Sequence, residues 1–119
     1  MGYKIVPITT DASGAAVATV SIDKDVLLFG ISYIKGNFAD GVDLTVATAN
    51  SVLSKTLLTV TNMNASVDLY LRANSCGATG TVSTDGLIMH PLFGNLTLTI
   101  AQGGNAKSGT FVIWYIEMD

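Results

Sequence analysis

The chain is 119 residues long, enough for one domain that buries roughly two-thirds of its unfolded surface in a single core. With 6 Lys+Arg against 9 Asp+Glu, a net charge of -3 and a pI near 4.7, it has no basic field to neutralise phosphates, which argues against a nucleic-acid partner. A hydrophobic share of 49% excludes disorder, and a charged share of 13%, about half the usual 25%, leaves so little charge that part of the surface is expected to be covered by something else.

The opening "MGYKIVPITT" lacks the basic region, apolar core and small-residue cleavage site of a signal peptide, and Val6 stands where myristoylation of Gly2 would need Ser or Thr. It predicts a strand over 3–9, with Pro7 placing it at a sheet edge. After the turn "TDASG" a strand is expected over 15–22, then "DKD" and a strand over 26–35. That strand carries apolar residues on both faces: Leu27, Phe29, Ile31 and Tyr33 against Val26, Leu28 and Ile34. The loop "KGNFADG" leads to a strand over 42–47 with Val42, Leu44 and Val46 inward, and "TANS" leads to one over 56–61. Beyond "NMNAS", residues 67–72 alternate, with Val67, Leu69 and Leu71 inward and Asp68, Tyr70 and Arg72 outward. Residues 73–95 are too long for a tight connection and suggest a binding loop or an extra hairpin around "TVSTDGLIM". The strand over 95–101 turns Leu96, Leu98 and Ile100 inward, and the last, over 110–117, is again apolar on both faces, Phe111, Ile113 and Tyr115 against Val112, Trp114 and Ile116.

Alternation of period two between Gly, Asn and Asp clusters, with no sustained 3.6-residue period, predicts an all-β chain: one antiparallel β-sandwich domain of jelly-roll or immunoglobulin-like type, with about eight strands. A sandwich buries one face of each strand, so the two doubly apolar strands call for a loop, an arm or another subunit over their second face. No run approaches the roughly 18 apolar residues of a membrane helix. Cys76 is a lone cysteine, which fits a reducing cytoplasm and makes the sequons at Asn64 and Asn95 chance matches.

Near the end, "GGNAKSGT" resembles a phosphate-cradling loop, but Lys107 and Ser108 follow Ala106, not glycine, and the β-patterned "TFVIWYI" that comes next offers no helix N-terminus. It is expected to be a hairpin loop whose glycines take φ > 0 and whose Lys107 is solvated. His90 and Cys76 could meet as base and nucleophile, but no oxyanion motif such as G-x-S-x-G accompanies them, so no catalytic residue, cofactor or small-molecule substrate is expected. Asp23, Asp25 and Asp40 lack the register of a calcium loop, and no metal is expected. Phe38 and Phe93, aromatic residues in loops, are candidates for docking a neighbour.

The segments "VDLTVATANSVLSKTLLTVTNMNASVDLYLR" and "LTLTIAQGGNAKSGTFVIWY" resemble small virion proteins encoded among the head genes of tailed bacteriophages, where "DLTVT" and "LLTVTN" strands and a "YYPR"-like segment precede an "AQGG" hairpin. Here "DLYLR" stands in place of the tyrosine-proline-arginine element, and the resemblance covers about two-thirds of the chain. It implies a non-enzymatic capsid decoration (cement) protein on the virion surface, made in the host cytoplasm, assembled as a homotrimer and bound to the major capsid protein. It also implies subunit or capsid contacts from Tyr33, Phe38, Phe93, Phe111, Trp114 and Tyr115 and from an arm at 1–9. A head-fibre, adaptor or host-surface-binding module is the alternative, with 73–95 as its contact loop.

Overall fold

The computed structural model describes residues 2–22, 25–49, 56–70, 73–76, 82–88, 90–92 and 95–117. Each of the eight predicted strands is present: β1 (Gly2–Thr9), β2 (Ala16–Ser21), β3 (Val26–Ile34), β4 (Val42–Thr48), β5 (Thr56–Met63), β6 (Val67–Tyr70), β10 (Asn95–Ala101) and β11 (Ser108–Glu117). In β6 Val67, expected inward, is exposed at the end of the strand, and Leu71 and Arg72 lie outside the described residues. The excursion adds β7 (Ala73–Cys76) and β8 (Val82–Ile88), paired only with each other, and β9 (His90–Leu92). One sheet runs β1-β11-β3-β6, with β9 on β3 beside β6, and the other runs β2-β10-β4-β5, all antiparallel. The two sheets face each other as a β-sandwich.

The core follows from the alternation. In the second sheet Leu96, Leu98 and Ile100 of β10 meet Leu44 and Val46 of β4, all fully buried. In the first, Phe111 and Ile113 of β11 face Tyr33 and Ile31 of β3, and Tyr33 stacks on Phe111 at 5.2 Å. At the open seam between β1 and β2, Lys4 closes the gap by donating from Nζ to the Ser21 carbonyl at 2.6 Å.

The doubly apolar reading of β3 has a local cause. Its buried residues are Val26 and Leu28, then Ile31 and Tyr33, so the inward parity changes from even to odd. The change falls at a bulge: Trp114 pairs with Gly30 and Tyr115 with Leu28, which leaves Phe29 as an extra residue. Phe29 and Gly30 therefore share the outer face, and both halves of the strand bury their apolar side.

Three connections that cross between the sheets are tied together at one pole. Thr10 N donates to the Lys107 carbonyl, Gly103 N to Gly14, Ala39 N to Gly103 and Ala106 N to Asp11, all at 2.9–3.1 Å. The buried Thr10 hydroxyl donates to the Gly104 carbonyl at 2.6 Å and accepts from Lys107 N at 3.0 Å. Asp11 accepts at Oδ1 from the Ser13 hydroxyl and from the Ala15 and Ser13 amides, which holds its carboxyl below the usual carboxylate range. The segment "GGNAKSG" belongs here: β10 and β11 lie in different sheets, so it is an inter-sheet crossing and not the hairpin expected from sequence. Positive φ angles fall on Gly104 and Ala106 within it and on Gln102 just before it, while Gly103 is a position of close approach, where a Cβ would lie 2.7 Å from Thr10 Cγ2.

Phe38 plugs this pole from inside. It is 1% exposed, stacks on Tyr33 at 6.3 Å and fits because Gly109 carries no side chain to meet its ring. The Tyr33 hydroxyl is buried with no hydrogen-bond partner among the described residues, and burial, with a smaller contribution from the Asp40 charge, pushes its pKa up. An unmade bond at a buried hydroxyl costs roughly 1–3 kcal/mol. Tyr33→Phe keeps both ring contacts and removes that cost, so its urea midpoint should rise, by about 1 kcal/mol in stability. A fall of that size would mean the hydroxyl has a partner.

Candidate functional site

The two outer faces differ in chemistry. On the β2-β10-β4-β5 sheet, cross-strand rows set Thr19 beside Thr97 and Ala47, and Val17 beside Thr99, Thr45 and Thr59. Threonine hydroxyls on a pleated surface suit water, and Val17 is an isolated apolar group in that array. On the β1-β11-β3-β6 sheet the rows are Tyr3, Trp114, Gly30 and Tyr70; then Ile5, Val112, Ser32 and Asp68; then Pro7, Thr110 and Ile34. Ile5 is 59% exposed and Tyr70 61%, and Tyr3 and Ile34 are also exposed, so four large apolar groups stand open on this face, interleaved with Ser32, Asp68 and Thr110.

Within this face the bulge builds a groove of about 280 Å³. Phe29 and Tyr70 form one wall as an edge-to-face pair, with centroids 5.7 Å apart and planes at 79°. Trp114 forms the other wall, backed by Tyr3 at 5.2 Å, and its indole Nε1 donates to Ser32 Oγ at 3.0 Å. Gly30 leaves the space between the walls open; a Cβ there would lie 2.7 Å from the Leu69 carbonyl oxygen, so the same glycine admits β6. Ser32 and Asp68 supply the polar lining.

The residues expected to make contacts divide between the two sides of the sheet. Tyr33, Phe38 and Phe111 are each 1% exposed or less and are spent on the core of their own chain, so they are withdrawn as contact residues. Tyr115 pairs with Leu28 and packs toward the core, its ring lying over Gly2. Trp114 alone of the set faces outward at the groove, and Phe93 lies outside the described residues. The arm at 1–9 is a regular edge strand, although its outward residues Tyr3 and Ile5 do stand on the exposed face. Phe29 and Tyr70 are the groove residues that the contact expectations missed; the outward alternation of Asp68 and Tyr70 was a signal for one, and the bulge hid the other.

Cys76 ends β7 and His90 opens β9, and their side chains lie outside the described residues. Among described residues no group of three or more His, Cys, Asp or Glu could hold a metal ion. Asp40 pairs with Lys35 at 3.3 Å, and Asp43 accepts from Asn62 N and Gln102 Nε2 at 3.0 Å each, so both serve the loops around them. No protein-family model, curated protein or solved structure matches this chain.

Proposed function

We propose that this chain is a non-enzymatic structural protein of a tailed-bacteriophage virion, a capsid decoration protein that assembles as a homotrimer and binds the major capsid protein through the outer face of the β1-β11-β3-β6 sheet. The carrying observation is the contrast between the outer faces, one threonine-lined and one aromatic and aliphatic. A monomer in water gains nothing from exposing Tyr3, Ile5, Ile34 and Tyr70 together, whereas a lattice component covers such a face on assembly. Many copies, each held by modest contacts, then stiffen the shell in parallel. The low charge content and the resemblance of the 42–72 and 96–115 segments to phage head proteins support the same reading.

Sedimentation at micromolar concentration should give a species of about three times the 12.4 kDa chain mass, and the protein should bind shells that lack it. Ile5→Asp, on an exposed edge position, should abolish shell binding or trimerisation while changing fold stability by no more than about 0.5 kcal/mol. A monomer that ignores shells would overturn the proposal. The separate β7–β8 hairpin favours a second reading, a head-fibre, adaptor or host-surface-binding module, in which binding to host cells rather than to shells is the expected result.

A further inference from the structure

We propose that the groove between Trp114 and the Phe29–Tyr70 pair receives the guanidinium group of an arginine from a protein partner, stacked on the aromatic wall and paired with the Asp68 carboxylate. The inference deepens the docking reading of this face and rests on it. The lining is electron-rich. Phe29, Tyr70 and Trp114 present π systems whose faces are negative, and Asp68, across the ladder from Ser32, is an exposed carboxylate that makes no ion pair or side-chain hydrogen bond among the described residues. The indole N–H of Trp114, the donor expected of a tryptophan in a binding site, is already committed to Ser32.

Such a lining selects its ligand by charge and by hydrogen-bond polarity. A guanidinium carries five N–H donors and no acceptor, is planar, and is weakly enough hydrated to lie against a ring while bonding a carboxylate through two parallel N–H groups. An ammonium offers the charge without the plane. A saccharide brings as many acceptors as donors and prefers a flat platform, whereas these rings stand at 79° and 45° to their neighbours. At about 280 Å³ the groove sits at the small end of ligand cavities, roughly 300–1,000 Å³, and suits one side chain rather than an extended ligand. An arginine held there would be an anchor of the kind that concentrates interface energy, in the midst of the apolar surface around it.

The sequence contains one tryptophan and four tyrosines, so fluorescence excited to the red of the tyrosine band reports on Trp114 alone. Titrating the intact protein with acetyl-Gly-Arg-Gly-amide should give a saturating change. The citrulline peptide, neutral but of the same shape, should bind about tenfold more weakly, and the lysine peptide should fall between them. Asp68→Asn, whose melting curve should match the parent, should weaken the arginine peptide about fivefold or more. Equal binding of the citrulline peptide, no effect of Asp68→Asn, saturation by cellobiose but not by the arginine peptide, or no saturation by any probe would each overturn the proposal. The titration involves no shell, so its failure leaves the docking face standing, and a failure to bind shells leaves the titration interpretable.

Discussion

Replacing Phe111 with alanine should lower the free energy of unfolding by about 3–5 kcal/mol, the range for deleting a large aromatic side chain from a closed core. The ring is fully buried, stacks on Tyr33 at 5.2 Å and stands in the sheet opposite β10, where Leu96, Leu98 and Ile100 leave no room for water to replace it. Three residues along the same strand, Trp114→Ala should cost only about 1–2 kcal/mol, because a half-buried ring on the outer face surrenders part of its transfer free energy and leaves no enclosed cavity. Urea denaturation of the two variants, with unchanged slopes, measures the difference. Equal losses would mean that the facing of β11 is wrong.

Gly30→Val should cost about 1–3 kcal/mol through overpacking, and its effect should be local. The first carbon of the new side chain would meet the Leu69 carbonyl oxygen at 2.7 Å, and a backbone atom cannot swing aside as a side chain can. The strain is relieved by moving β6 away from β3, so amide exchange should accelerate at 67–70 while the β1–β11 pairing keeps its protection. Uniform loss of protection, or none, would count against this placement of β6. The same variant should also lose the arginine-peptide response, because the branched side chain fills the space between the ring walls.

The strands were legible because alternation is local: Leu96, Leu98 and Ile100, and Val42, Leu44 and Val46, show their facing without knowledge of any neighbour. The two apolar faces of β3 were visible, but their cause was not. One bulged residue, Phe29, inverts the phase of everything after it, and a period-two count cannot detect an insertion that is visible only against the partner strand. Phe38 misled for a related reason. An aromatic residue in a loop resembles a surface anchor until Gly103 and Gly109, more than sixty positions away, are seen to make room for it. Of the groove, Trp114 could be placed outward from its own strand, but Tyr3, Phe29 and Tyr70 join it only through the strand order β1-β11-β3-β6, which no local pattern specifies.

The pairing of β1 with β11 sets residues 2–9 against 108–115. During synthesis the first strand leaves the ribosome about a hundred residues before its partner, and β3 likewise waits for β11 with one edge open. Loop-closure entropy must be met before these distant pairings form, which places folding in the millisecond-to-second range of non-local β topologies. Until β11 arrives, Ile8, Leu28 and Tyr33 lack their neighbours, and the nascent chain carries an unsatisfied strand edge that is open to other chains. β11 is thus the strand that withdraws the rest of its sheet from aggregation, because it pairs with one edge of β1 and one edge of β3 at once.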